Sequence, residues 1–83
     1  MANVYFNAEA RDQYDELPTP IQKRVLVVLR RLEEWPDVSG AKPLRGKLAG
    51  RFRIRTGDYR VQFCVLGDVV TVEKVGHRDG FYE

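Results

Sequence analysis

The spacing of apolar positions changes twice along the chain, and those changes divide it. Val4, Tyr5 and Phe6 form a short β-branched and aromatic run that reads as a first strand. Asn7 follows as an N-cap, with Glu9 in the first turn of a helix, where a negative charge suits the helix dipole. Ala10, Tyr14 and Leu17 recur at i, i+4 and i+7 and give that helix one narrow apolar stripe. Leu17-Pro18 ends it, because the residue before a proline is pushed out of the helical region. A second helix is expected with Thr19 as N-cap, Pro20 at the first helical position and Gln22 completing a capping box. Ile21, Val25, Val28, Leu29 and Leu32 then fall at helical spacing, with Lys23, Arg24, Arg30 and Arg31 on other faces and Trp35-Pro36 as the stop. So short a junction between the helices predicts an antiparallel helical hairpin.

Asp37 to Gly50 reads as a loop, punctuated by glycines at 40, 46 and 50 and by Pro43. Leu44 and Leu48 are expected to tuck under the sheet while Lys42, Arg45 and Lys47 face out. From Arg51 onward the period becomes two. Three strands follow, joined by Gly57-Asp58 and Gly67-Asp68 as two-residue hairpin loops. Those loops set a register in which Ile54 opposes Val61, Phe52 opposes Phe63, Val65 opposes Val70 and Phe63 opposes Val72, apolar on apolar throughout. On the other face Arg55 opposes Arg60, Arg53 opposes Gln62, Gln62 opposes Glu73 and Arg60 opposes Val75. The expected fold is α+β. An N-terminal strand and a helical hairpin pack on one face of a small, mainly antiparallel sheet that ends in a three-stranded meander.

Composition narrows the class. A chain of 83 residues holds one small domain, taken as residues 1–83, and its 43% hydrophobic and 31% charged residues are those of a globular protein. No apolar run approaches the roughly 20 residues that cross a bilayer, and no basic-then-apolar leader opens the chain. One cysteine forms no intrachain disulfide, and one histidine makes no metal-ligand cluster, so a cytoplasmic setting without metal or cofactor is expected.

Charge changes the picture more. Residues 1–41 carry five basic and seven acidic side chains, whereas residues 42–83 carry nine and five, so the formal +2 is the sum of −2 and +4. Between Lys42 and Arg60 seven cations face the single Asp58. Strand alternation stands Arg51, Arg53 and Arg55 in a row on one face, neighbours about 6.5–7 Å apart. Like charges directly across a strand pair, as Arg55 and Arg60 would be, cost a few tenths of a kcal/mol to about 1 kcal/mol. Packing gives no reason for that row. A phosphate backbone does, because a guanidinium fork grips phosphate at two points.

Cleavage of RNA needs more than grip. It needs a group that takes the 2′-hydroxyl proton, charge that stabilises the phosphorane, and an acid for the leaving 5′-oxygen. Arginine supplies the charge but does not give up its proton. His77, Glu73 and Tyr82 are the titratable groups nearby, and a histidine is suited to proton transfer worth about 10²–10⁴-fold in rate.

The residues L-R-G-K-L-A-G-R-F-R-I-R-T-G-D-Y-R-V at 44–61 and V-G-H-R at 75–78, followed by Tyr82, resemble the RelE/ParE toxin superfamily, and its RelE branch more narrowly. The resemblance covers essentially the whole chain. It implies the toxin of a type II toxin–antitoxin system that cleaves messenger RNA in the small-subunit decoding site of the ribosome, without metal, through 2′-hydroxyl attack. It implies a cognate antitoxin that wraps and silences the toxin in a hetero-oligomer. The family's functional positions match Arg53 and Arg55 on the second strand, Arg60 in the G-x-Y-R block, Arg78 after V-G-x, and Tyr82 approximately. Some members carry lysines where this chain has Arg53 and Arg55, which leaves proton transfer to His77, Tyr82 or the ribosome. The expected catalytic set is therefore Arg53, Arg55, Arg60, Arg78, His77 and Tyr82, with Lys42, Arg45, Lys47, Arg51, Gln62 and Glu73 as further RNA contacts. Two alternatives follow from the same likeness: a ParE-like inhibitor of DNA gyrase acting by binding, and a RelE fold kept as a catalytically inactive binding module.

Overall fold

The computed structural model describes residues 1–80. Strand β1 (Asn3–Phe6), helix α1 (Ala8–Asp15) and helix α2 (Thr19–Leu32) come first, then strands β2 (Lys42–Pro43), β3 (Arg51–Thr56), β4 (Tyr59–Leu66) and β5 (Val69–His77). The five strands form one sheet in the order β1-β5-β4-β3-β2, antiparallel except where β1 runs parallel to β5. The helices cover one face, α1 resting mainly on β5 and α2 on β3. No helix among the described residues is long and apolar enough to cross a membrane.

Local chemistry places the helices. Asn7 has extended backbone and its side-chain oxygen accepts from Ala10 N at 2.8 Å, as a helix N-cap should. The capping box expected at Thr19 does not form. The helix starts at Thr19 itself with Pro18 at the cap position, and Gln22 instead donates to Tyr14 O at 3.0 Å, tying α2 to the end of α1. Proline locks a φ that suits a helix entrance, so no side-chain cap is needed there. At its other end α2 stops at Leu32, earlier than Trp35-Pro36 suggested, and tight i→i+3 bonds from Glu33, Glu34 and Trp35 finish the turn.

The stretch from Asp37 to Gly50 is more ordered than a loop. Lys42 and Pro43 pair with Arg53 and Phe52 as an edge strand, and Gly46–Leu48 make one 3-10 turn. Proline is tolerated there because an edge strand needs donors on one side only. Leu44 and Leu48 are half-buried, and Lys42, Arg45 and Lys47 are exposed, as the pattern predicted.

The core forms where the apolar stripes meet. Val25, Val28 and Leu32 of α2 and Ala10 of α1 close over Ile54, Val61, Phe63, Val70, Val72 and Val75, all of them buried. Phe63 is fully buried at the centre, with Trp35 edge-on at 5.4 Å and Phe52 stacked at 5.6 Å between ring centroids. Every apolar pairing expected across the three strands is present.

The polar register is not, and one β-bulge is the reason. Between Gln62 and Phe63 the pairing with β5 shifts, so Gln62 faces Lys74 instead of Glu73, and Arg60 faces Gly76 instead of Val75. Two residues, Glu73 and Lys74, now separate Val72 from Val75, and both valines reach the core. Burying Val75 is worth about 1.5–3 kcal/mol relative to leaving it exposed, enough to drive the extra residue out of the ladder. Because strand alternation has period two, the same shift also reassigns everything after it. His77 moves to the helix side with Val75, and Lys74, Gly76 and Arg78 to the open side. Beyond the end of β1, the exposed edge of β5 is blunted by α1: Val75 N donates to Gln13 Oε1 at 2.8 Å.

Candidate nucleic-acid interface

The open face of the sheet is built of three ranks that run across β3, β4 and β5. One rank is Arg51, Cys64 and Thr71; the next is Arg53, Gln62 and Lys74; the third is Arg55, Arg60 and Gly76. Side chains directly opposite one another within a rank have Cβ atoms about 4.5–5.5 Å apart, so the arginines of neighbouring strands share one surface. Arg78 lies just past the third rank, where its N–H donates to Asp58 O at 2.7 Å and fastens the end of β5 to the β3–β4 turn.

That turn is tight for two reasons. Gly57 has φ +60 while no non-glycine residue has a positive φ, the arrangement of a type II′ hairpin loop. A Cβ at Gly57 would also sit 3.1 Å from Arg24 Nη1, so the missing side chain leaves room for a guanidinium from α2. Neither Arg24 nor Gln13 carries a signal in sequence spacing, since both act through contacts made only when helix and sheet meet.

The ranks differ in how their charges are met. Arg51 Nε is 2.8 Å from Glu73 Oε1, a half-buried ion pair reached across the strand between them. None of Arg53, Arg55 and Arg60 forms an ion pair among the described residues. Arg53 Nε and Arg60 Nε are buried and have no hydrogen-bond partner. An unmet buried donor costs about 1–3 kcal/mol, more when charged, so two of them on one face mark a surface built for something other than its own stability. Gln62 lies between these two arginines and is only 7% exposed.

His77 stands apart from this set. Its ring meets Tyr59 edge-on at 5.2 Å, and Tyr59 shares the helix-side alternation of Val61. Asp79 N donates to His77 Nδ1 at 3.1 Å, which puts the proton of the neutral ring on Nε2. The bulge is why the ring is at the strand end beside Tyr59 and not on the arginine face, where the sequence register had put it near the edge. Tyr82 lies outside the described residues. Burial, and then the charge of Glu73, push the thiol of Cys64 up, so the one cysteine stays protonated on this face. A cavity of about 180 Å³ lies elsewhere, between β1 and α2 with Val4, Phe6, Leu26 and Leu29 in its walls, and holds none of the arginines of the open face.

No family model and no curated protein matches this sequence. Solved structures do. The toxin–antitoxin complex RelBE2 of Mycobacterium tuberculosis contains a chain 30% identical, with a TM-score of 0.81, covering 93% of this chain and 91% of that one. The isolated RelE toxin of Escherichia coli is 23% identical with a TM-score of 0.78, covering 93% of this chain and 84% of that one. The YoeB/ParE toxin of Agrobacterium tumefaciens is 19% identical with a TM-score of 0.77, covering 93% of this chain and 98% of that one. The last two share the fold; the first, at its identity and coverage, establishes kinship. With a helical hairpin on a five-stranded sheet and an arginine-ranked open face, this chain belongs to the RelE/ParE toxin superfamily.

Proposed function

We propose that this chain is the toxin of a type II toxin–antitoxin system and a ribosome-dependent mRNA endoribonuclease. The observation that carries the reading is the unmet pair of buried donors, Arg53 Nε and Arg60 Nε, on a face where Arg55 also opposes Arg60. Phosphate oxygens would satisfy those donors and relieve the repulsion together.

In this reading Arg53, Arg55 and Arg60 hold the scissile phosphate, and Arg78 closes over it from the end of β5. The 2′-oxygen of the preceding ribose bonds to phosphorus, its proton passes to a base, and the 5′-oxygen departs with a proton. A 2′,3′-cyclic phosphate remains. Four guanidinium groups would neutralise charge on the phosphorane, the kind of stabilisation for which loss of one donor costs about 10²–10³-fold in rate. Proton transfer falls to His77, working around the end of β5, or to Tyr82. Lys42, Arg45 and Lys47, exposed beside β3, would extend the track for the backbone, and Arg51 with Glu73 would border it. A solved relative is a toxin–antitoxin complex, which supports a cognate antitoxin as partner.

Expression with and without an antitoxin, followed by mapping of RNA ends, tests the reading. New ends within ribosome-bound messages are expected, and their absence under growth arrest rejects it. Gyrase inhibition in a supercoiling assay that persists when Arg60 and Arg78 are both replaced would assign the chain to the ParE-like alternative instead. Harmless overexpression would leave a binding module.

A further inference from the structure

Gln62 is a polar side chain more than nine-tenths buried in the middle of the open face, and no hydrogen bond from the described residues reaches its carboxamide. A buried amide without a partner costs free energy, and a valine or leucine at this place would not. Its neighbours are the two arginines with unmet Nε–H donors. Arg53 lies directly across on β3, and Arg60 lies two residues back on the same strand, about 6.5–7 Å away. The three unmet groups are not alike. The arginines offer only donors, whereas the carboxamide oxygen of Gln62 is an acceptor and needs a hydrogen. A phosphate or carboxylate would satisfy the arginines and leave that oxygen empty. RNA brings both partners side by side, because each 2′-hydroxyl lies next to the 3′-phosphate of its own ribose.

Resting on the RNA reading above, we propose that Gln62 is a ribose-reading residue: its carboxamide oxygen accepts from the 2′-hydroxyl while Arg53 Nε and Arg60 Nε hold the adjoining phosphate. The contact discriminates RNA from DNA, for which the 2′-hydroxyl is the only distinguishing donor in a sugar–phosphate backbone. It also orients the oxygen that attacks.

The test measures binding of the full chain to ribosomes programmed with a short message in three forms: all-ribose, 2′-deoxy at the codon in the decoding site, and 2′-O-methyl there. The wild-type chain should favour the all-ribose message by roughly fivefold to tenfold over both others, the loss expected for one buried hydrogen bond. Gln62→Met should remove that preference by weakening only the all-ribose complex, with a thermal midpoint equal to or above that of the wild type. Gln62→Glu keeps an acceptor oxygen but repels phosphate, so all three complexes should weaken while the preference persists. Equal wild-type affinity for the three messages, or a preference that survives Gln62→Met, overturns the assignment while the arginine grip on RNA stands. Binding to none of the programmed ribosomes overturns both. An acidic protein segment as the true occupant would show as competition that no ribose substitution alters, and would likewise overturn it.

Discussion

Val61 and Phe63 on one face of β4 meet Ile54, Val75, Phe52 and Val72, whereas Arg60 and Gln62 on the other face meet Arg55, Gly76, Arg53 and Lys74. The same strand thus satisfies every side chain on one side and leaves several unsatisfied on the other. On the covered face, register is fixed by burial, and a slip would expose the whole apolar set. On the open face nothing in the chain rewards the arrangement. Two arginines confront each other, two buried Nε donors lack acceptors, and a buried glutamine lacks a partner. Local rules broken without local compensation are the usual mark of a surface shaped by a ligand.

The sharpest way to break that contrast is to exchange its consequences. Phe63→Ala on the covered face should cost about 3–5 kcal/mol, a large share of the roughly 5–15 kcal/mol available to a domain. Urea unfolding checks it, and a loss below about 1 kcal/mol would mean that Phe63 is not the centre of the core. Arg60→Ala on the open face should do the reverse. RNA cleavage should fall by about 10²–10³-fold, while the urea midpoint holds or rises because a like-charge contact is gone. A variant of Arg60 that unfolds with full specific activity in its folded fraction would reverse the assignment of the two faces.

Within the open face Arg51 sharpens the comparison, since its charge is already met by Glu73. Arg51→Ala should lower stability by roughly 0.5–1 kcal/mol, the range for a partly exposed ion pair, and reduce activity far less than Arg60→Ala. Equal losses of activity for the two variants would show that the pairing does not set Arg51 apart.

Cys64 gives the smallest effect. Its thiol is raised above the ordinary value of 9.0 by burial first and by Glu73 second. Folding therefore favours the thiol over the thiolate, and the stability this contributes is present below that ordinary value and lost as pH climbs past it. Alkylation at pH 8 should be slower in the folded chain than in the unfolded one, and Glu73→Gln should speed it. Unchanged rates in both cases would remove Cys64 from the buried rank.

Most of the architecture was legible because period and turn chemistry agree. Asn7 capped its helix as read, both Gly-Asp loops formed hairpins, and the apolar partners of Phe63 were all found by counting outward from those loops. The failures share a cause, which is that the competing interaction was not local. Thr19 looked like a cap, but Gln22 was drawn to Tyr14 O on the other helix. Lys42 and Pro43 looked like loop, because a two-residue strand exists only through its partner. The bulge left one trace, a spacing of three between Val72 and Val75 where two was expected. Missing it placed Glu73 opposite Gln62, when Glu73 in fact pairs with Arg51. It also put His77 near the arginines, when Arg78 is the residue brought to that side. The arginine row itself was readable, but which members lacked a partner was not.

The claim on which the rest depends is that Arg53 and Arg60 are held unpaired for phosphate. The most direct test measures affinity for single-stranded RNA across a series of salt concentrations. Each phosphate neutralised on a single strand contributes about −0.7 to the slope of log affinity against log salt. Replacing Arg53 and Arg60 together with alanine should flatten that slope by about 1.4 and leave the fold intact. An unchanged slope in the double variant would contradict the account.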